Sequence, residues 1–326
     1  MTRYLILLLF CTGFYLSPCW AQVKTGITGK PDSSYSNWSA YQNTLKEHPE
    51  IKLVKEQSSK LVEENRNLVY CTIGDRQLKL DAFIPASKKQ KNAVVLIIHG
   101  GGWRSGNRAQ HIPLAQKLAQ AGYAAFTVEY RLSTEALYPA GVEDLKGALR
   151  WIKLNAAKYN VDSNRVAVLG FSAGGELATF LGATAHVPKF DGNCNPTAST
   201  SVQAIIDIDG TLSFVHPDSG EGDDSRSTSA ATYWFGYPKK ENPELWKEAS
   251  PLTYAAANKA PILFLNSAVE RMHAGRADFI SILTKNKIYS EVHTFEGAPH
   301  SFCLFDPWFE PTVNYITAFL GKVLKK

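Results

Sequence analysis

Residues 165–181 read RVAVLGFSAGGELATFL, an apolar run, a glycine-flanked serine and a second apolar run. The first run has the composition of a buried β-strand, and the second has that of a helix. A serine between them stands on a sharp turn, and Gly170 and Gly174 let the two arms of that turn pass close together. The stretch therefore predicts a strand–turn–helix unit that exposes the hydroxyl of Ser172 above a sheet.

A second motif is the glycine-rich loop HGGGW at 99–103, which directly follows the strand-like residues 93–98. Glycine leaves backbone N–H groups unobstructed, so those of Gly101 and Gly102 can point at a developing oxyanion, together with the N–H of Ala173. Each such donor is worth roughly 3–4 kcal/mol in a transition state. A tight turn of purely structural use is the alternative interpretation of this loop.

A histidine near the end of the chain completes the pattern. His300 lies in the loop 296–302, after the alternating strand 289–295 and before a final amphipathic helix. A serine hydroxyl is a poor nucleophile by itself and needs a positioned imidazole to accept its proton. His300 is therefore the predicted general base. Three other histidines are interpreted as structural or substrate-facing: His99, His273 and His293.

The order of the elements predicts an α/β fold. A polar lead-in segment, 22–65, carries a weak helical signal at 51–61, and a β-hairpin follows at 68–84. Strands and helices then alternate, which implies a mostly parallel sheet with helices on both faces. Residues 66–326 are interpreted as one catalytic domain. Within it, 210–260 is rich in Gly, Ser, Asp and aromatic residues and is interpreted as an insertion that caps the carboxyl ends of the strands.

The N-terminus resembles an export signal. Residues 1–21 contain one early arginine, the apolar run 4–10 and a small-residue end, which is typical of a cleaved secretory signal. That apolar run is too short for a membrane span, and no later stretch is long enough. The chain is therefore expected in the periplasm or outside the cell, beginning at Gln22. A lipoprotein anchor at Cys19 is the alternative, although Pro18 is an unusual residue to precede it.

Composition limits the partners. The 326-residue chain is 44% hydrophobic and 20% charged, with a formal net charge of +5. Its basic residues are scattered, so no nucleic-acid partner is expected. No cofactor is expected, and the cysteine spacing offers no zinc pattern, so no metal is expected either. At most one intramolecular disulfide can form among the three cysteines that follow the signal: Cys71, Cys194 and Cys303.

Several motifs together resemble those of α/β-hydrolase esterases of the hormone-sensitive-lipase-like type. They are HGGGW at 99–103, YRLS at 130–133 and GFSAGG at 170–175. The resemblance covers the chain from about Leu68 to Leu324. It implies a serine esterase with the fold described above.

Shorter patterns are similar to those of secreted bacterial carbohydrate esterases of the pectin-esterase kind. They are DIDG at 207–210, WKEASP at 246–251 and RMHAGR at 271–276. This second resemblance implies a plant polysaccharide or oligosaccharide substrate. The ester expected first is the methyl ester of pectin, on galacturonan, and acetyl esters of pectin or xylan are the alternative. The oligomeric state is not predicted.

The acid that orients the histidine is left open among three residues. Esterases of this fold place it shortly after a late strand, which favours Glu270, about four residues past Asn266. The resemblance to pectin esterases favours Asp278 instead. Asp209, at the end of the preceding strand, is the third candidate.

Two arginines, Arg271 and Arg276, flank the acid candidates in a loop predicted to open onto the site. Arginine binds carboxylates through paired hydrogen bonds, so these two are candidates to hold a galacturonate while Ser172 attacks its ester. The alternative is that they bridge a neighbouring acid or a helix end. Trp103 is expected either to stack on a sugar face or to belong to the core.

Three other functions compete with the esterase. The run DIDGT at 207–211 reproduces a pattern of haloacid-dehalogenase-like phosphatases, but there it ends the first strand of a domain and here it follows a late one. A peptidase on the same fold would need an amine-binding acidic pair, which the sequence does not show. A polysaccharide-binding module without activity would not need Ser172, His300 and the glycine loop together.

Overall fold

The computed structural model describes residues 25–30 and 32–324, so the predicted signal segment lies outside the described residues. Among the helices that are described, none is both long enough and apolar enough to cross a lipid bilayer.

One eight-stranded sheet forms the centre of the molecule. Its strands are β1 (Val62–Ile73), β2 (Arg76–Pro85), β3 (Asn92–Ile98), β4 (Ala124–Val128), β5 (Val161–Phe171), β6 (Ala204–Ile208), β7 (Ile262–Asn266) and β8 (Ser290–Thr294). Their spatial order is β1-β2-β4-β3-β5-β6-β7-β8. β1 and β2 form an antiparallel hairpin and β2 runs antiparallel to β4, whereas β3 to β8 pair in parallel. The predicted α/β fold is confirmed.

In the described part of the chain, eight α-helices accompany the sheet. They are α1 (Asn37–Thr44), α2 (Ile112–Gln120), α3 (Ala140–Leu154), α4 (Ala173–Ala183), α5 (Ala230–Phe235), α6 (Pro243–Glu248), α7 (Arg276–Lys285) and α8 (Phe309–Val323). Alternate residues of β3 belong to different cores: Leu96 packs in the cluster that includes α3, α4 and α7, and Ile97 in the cluster that includes α2 and α8. Helices thus cover both faces, which explains why the central strands are continuous apolar runs.

Helix α3 shows how the apolar pattern anticipates packing. Four of its apolar residues recur at three- and four-residue steps, which predicts one apolar face against the sheet. All four are buried: Val142, Leu145, Leu149 and Ile152. From the sequence alone, residues 140–159 are predicted to form one helix. That C-terminal bound is wrong, because α3 ends at Leu154 and the side chain of Asn155 donates to the carbonyl of Trp151.

The lead-in segment folds differently from its weak helical signal. No helix forms at 51–61; instead Lys52–Leu53 pairs with Phe305–Asp306 in a short antiparallel ladder. Helix α1 lies earlier, where the side chain of Ser36 caps it by accepting from the N–H of Ser39. A local capping residue and a distant strand partner therefore decide this segment.

The insertion 210–260 contains α5, α6 and a 3-10 helix, Pro251–Ala257. Its tryptophans Trp234 and Trp246 are buried, so they belong to the core. One disulfide joins Cys71 on β1 to Cys194, whose Cα atoms are 5.8 Å apart.

Candidate active site

Ser172 stands on the turn between β5 and α4, as predicted. Its backbone has a positive φ of 57° with ψ −122°, a conformation that residues with a side chain rarely adopt. Its N–H donates to the carbonyl of Ile208 at 2.8 Å. Among the described residues, four outside glycine and asparagine have such a positive φ, and three of them lie at this site: Trp103, Ser172 and Asp209. Backbone strain is typically concentrated at functional sites.

Two glycines make this turn possible. A Cβ on Gly170 would overlap the backbone carbonyl of Gly174, and a Cβ on Gly174 would overlap the carbonyls of Ile98 and His99. Backbone atoms of a central sheet cannot shift as a flexible side chain can. Both positions therefore require glycine.

Replacing Gly174 with alanine is expected to destabilise the protein strongly. The new methyl group meets the backbone at the end of β3, so the free energy of unfolding should fall by about 1–3 kcal/mol or more, as overpacking does in rigid cores. Urea denaturation measures the change. Gly321→Ala, on the exposed side of α8, is the matched control and should stabilise by up to about 1 kcal/mol. Equal stabilities of the two variants would contradict the close approach.

Three side chains form a continuous line at the carboxyl ends of the strands. His300 Nε2 lies 2.9 Å from Ser172 Oγ, and His300 Nδ1 lies 2.9 Å from Asp209 Oδ2. The carboxylate of Asp209 is fully buried, and the imidazole is partly exposed. The serine and histidine expected from the sequence are thus brought together, and the residue in the acid position is Asp209.

The expectation that favoured Glu270 or Asp278 as the acid is corrected by this geometry. The side chain of Glu270 is 92% exposed and lies 3.5 Å from His273. That of Asp278 is 61% exposed and lies 3.5 Å from His216. Neither is paired with His300, because the turn after β7 directs Glu270 into solvent, whereas the turn after β6 directs its aspartate towards the imidazole.

The surroundings of Asp209 keep its charge. Burial would raise the pKa of the Asp209 carboxyl, but the nearby His273 imidazole and the hydrogen bonds from His300 and Ser267 outweigh burial and hold this pKa below its usual range. The Ser267 N–H donates to Oδ1 at 2.8 Å. The carboxylate is therefore ionised at neutral pH, as an imidazole-orienting acid requires.

The DIDGT run, 207–211, forms the turn that carries Asp209. Asp207 is buried, and its side chain accepts a hydrogen bond from the N–H of Gly210 at 2.7 Å. Burial raises the pKa of Asp207 to about 8. The first aspartate of the run thus holds the turn that presents the second.

The glycine loop lies against the serine. An added Cβ on Gly100 would approach the Cβ of Ser172, and the N–H of Gly100 donates to Gln110 Oε1 at 2.7 Å. In the part of the chain that the structure describes, the N–H groups of Gly101 and Gly102 have no hydrogen-bond acceptor. Ala173 is the first residue of α4, where N–H groups lack an intrahelical acceptor. The N–H groups of Gly101, Gly102 and Ala173 are therefore available to donate hydrogen bonds to a bound oxyanion.

Trp103 does not offer a face to a sugar. It is buried and stacks on Trp234, with ring centroids 4.9 Å apart, and its Nε1 donates to Glu176 Oε2 at 3.0 Å. The substrate-stacking role expected for Trp103 is therefore corrected to a core role. Its hydrogen bond joins the glycine loop to α4, and burial raises the pKa of Glu176 well above its usual value.

The two arginines do not form a common wall. Arg276 Nη1 donates to Asn266 Oδ1 at 2.5 Å, so the expectation that Arg276 binds substrate is corrected to a structural bridge. Arg271 is 54% exposed, and its Nη1 lies 3.5 Å from Glu221 Oε1. Burial raises the pKa of Glu221, and the charges of Arg271, His300 and Lys239 oppose that rise. Sequence reasoning missed Glu221, because nothing in the insertion marks it.

The other histidines differ in role. His99 is buried and stacks on Tyr130, and burial lowers its pKa to about 4. His293 stacks on Tyr315, with ring centroids 3.9 Å apart. Both are structural. His273, in contrast, places its Nε2 3.4 Å from Asp209 Oδ1.

Comparison with known proteins finds a matching family model and several relatives of this chain. The BD-FAE family model matches residues 80–272, more than half of the chain. Esterase LipC of Mycobacterium tuberculosis is 28% identical over 261 residues, which are 75% of this chain and 62% of LipC. Carboxylesterase NlhH of the same organism is 36% identical over 124 residues, 38% of each chain. The chain thus spans less than two thirds of the length of these curated relatives.

A solved structure shares the fold. The truncated form of a carbohydrate esterase from gut microbiota superposes with a TM-score of 0.70 at 21% identity, covering 83% of this chain and 100% of that one. At this identity the likeness shows the fold alone.

Proposed function

Since the chain belongs to the BD-FAE family, we propose that it is a serine carboxylic ester hydrolase. The observation that carries this proposal is the line of contacts from Ser172 through His300 to the buried Asp209, each 2.9 Å long. The esterase names of the related LipC and NlhH support the same reaction. The peptidase and phosphatase alternatives lack any such support.

The proposed reaction is acyl transfer in two steps. Ser172 Oγ attacks the ester carbonyl as His300 Nε2 accepts its proton. Asp209 holds the imidazole in the required tautomer and stabilises its cation. The N–H groups of Gly101, Gly102 and Ala173 receive the oxyanion. The imidazolium then protonates the leaving alcohol, and a water deprotonated by His300 releases the acid and restores the serine.

For the substrate, we propose an esterified carbohydrate, with acetyl esters ahead of methyl esters. The related fold of a carbohydrate esterase favours the class of substrate. A galacturonate carboxylate needs free cationic groups, but Arg276 is bound to Asn266, and Arg271 faces Glu221. An acetyl group, in contrast, carries no charge and requires no cationic wall.

Product analysis distinguishes the two esters. Wild type is incubated with acetylated xylan and with pectin that carries both esters, and acetate and methanol are quantified against a Ser172→Ala blank. We expect acetate release. Methanol alone would overturn the acetyl proposal and favour pectin methyl esters. Release of neither, with cleavage of small aryl esters retained, would remove the polysaccharide from the proposal but leave the esterase.

Arg271→Ala tests the same point at one side chain. If acetyl esters are the substrate, kcat/KM on acetylated xylan should stay near the wild-type value, because Glu221 already neutralises this arginine. If Arg271 binds a galacturonate, KM on pectin should rise by about 10-fold or more, the effect of losing a charged hydrogen bond. An aryl acetate without a carboxylate serves as the control substrate.

We also propose that the protein is exported to the periplasm or outside the cell. The signal-like residues 1–21 support this, and so does the disulfide between Cys71 and Cys194, since such bonds persist in oxidising compartments. Fractionation of cells that express the full chain, followed by non-reducing peptide mapping, tests it. A cytoplasmic protein with free thiols at both positions would contradict the proposal.

A further inference from the structure

A second imidazole contacts the carboxylate behind the candidate general base. His300 Nδ1 lies 2.9 Å from Asp209 Oδ2, and His273 Nε2 lies 3.4 Å from Asp209 Oδ1. The two rings thus approach different oxygens of one buried carboxylate. We infer that His273 is a positioning residue, which donates a hydrogen bond to Asp209 and thereby orients His300; the inference rests on the proposed esterase activity.

The burial of His273 leaves its ring few other partners. Its side chain is only 6% exposed, and within the described residues its Nε2 has no hydrogen bond of standard geometry. The Asp209 oxygen lies 3.4 Å from Nε2, and a small closure of that gap makes a charged hydrogen bond. The opposite nitrogen, Nδ1, lies 3.5 Å from Glu270, whose carboxylate is in solvent.

This arrangement assigns different tasks to the two carboxylate oxygens. Oδ1 accepts from the Ser267 N–H at 2.8 Å and faces His273. Oδ2 is left for His300. Donors fixed on Oδ1 prevent the carboxylate from rotating, so Oδ2 keeps the imidazole directed at Ser172.

The place of His273 in the fold is consistent with this positioning role. It ends the 3-10 helix Glu270–His273, in the turn after β7 where the resemblance places the acid. In this chain Asp209 comes from the turn after β6, so the β7 turn contributes a donor to that acid instead. Its own acid, Glu270, points outward.

Two substitutions at His273 separate a hydrogen-bond role from a packing role. His273→Leu fills the space but cannot donate, and it should lower kcat on an aryl acetate by about 10- to 100-fold, the effect of one hydrogen bond to a charged group. KM should stay near the wild-type value, because His273 does not face the substrate. His273→Gln, whose amide nitrogen can reach the same oxygen, should recover most of the activity. Glu270→Gln is the control and should behave as wild type.

A double-variant comparison tests whether His273 acts through Asp209. In an Asp209→Asn background, His273→Leu should cause no further loss of kcat, because the carboxylate that it positions is gone. An equal loss in both backgrounds, or wild-type kcat in His273→Leu alone, would overturn the inference. So would equal loss in the leucine and glutamine variants with unchanged melting temperatures.

Two further outcomes keep the inference separable from the proposed function. If the leucine variant does not fold, His273→Asn takes its place, since its shorter amide cannot reach Asp209 and the same loss of kcat is expected. If wild type itself hydrolyses no ester, the proposed function fails. If wild type is active and neither the leucine nor the asparagine variant lowers kcat, only the role of His273 fails.

Discussion

Asp209→Asn is expected to lower kcat by about 10⁴-fold, as removal of the imidazole-orienting charge does in related catalytic triads. Asparagine keeps the size of the side chain but presents a neutral amide to His300. The imidazole then loses the tautomer that accepts the serine proton and the charge that stabilises its cation. Asp209 is buried and 2.9 Å from His300 Nδ1, so the amide of the variant stays against the imidazole.

The matched variants are Glu270→Gln and Asp278→Asn, at the two positions that the sequence favours. Both side chains are exposed and unpaired with His300, so both variants should retain kcat close to wild type. All three enzymes are compared on one aryl ester, with circular dichroism as a check of folding. If Glu270→Gln or Asp278→Asn lost orders of magnitude while Asp209→Asn did not, the assignment of the acid would be wrong.

Ser172→Ala is expected to lower kcat by about 10⁶-fold, as loss of the nucleophile does in serine hydrolases. Alanine removes the only atom that forms the acyl bond, and His300 Nε2 then has no hydroxyl to deprotonate. Residual hydrolysis would come from the backbone donors at Gly101, Gly102 and Ala173 acting on a water.

Covalent labelling provides an independent measurement at this serine. A fluorophosphonate should add one group to wild type, on the peptide that contains Ser172, and none to Ser172→Ala. Ser227→Ala, at an exposed position in the insertion, is the control and should label and turn over as wild type does. Labelling of Ser172→Ala at full stoichiometry would contradict the proposed mechanism.

Local sequence was enough to predict the sheet, the serine turn and the glycine loop. Continuous apolar runs predict strands buried on both faces, and the glycines around Ser172 predict a turn whose backbone leaves no room for a Cβ. His300 could also be predicted, because it follows the last strand and precedes the final amphipathic helix. Each of these signals lies within about a dozen neighbouring residues, where backbone geometry depends on the residues themselves.

Only the tertiary structure decided which acid meets the histidine. Glu270, Asp278 and Asp209 all follow late strands, and their order along the chain fits a triad equally well. The choice depends on where each turn directs its side chain, and on the φ of 53° that Asp209 adopts after β6.

Contacts between residues far apart in the sequence were also decided only by the tertiary structure. Trp103 is a residue type that often stacks on sugars, yet it stacks on Trp234, which lies in an insertion more than a hundred residues further along the chain. His273 approaches Asp209, and Arg271 approaches Glu221, through packing of separate turns. The sequence determines which side chains each turn carries. Which of those side chains come within hydrogen-bond distance is determined by how distant turns pack, because that distance depends on the position of the whole backbone.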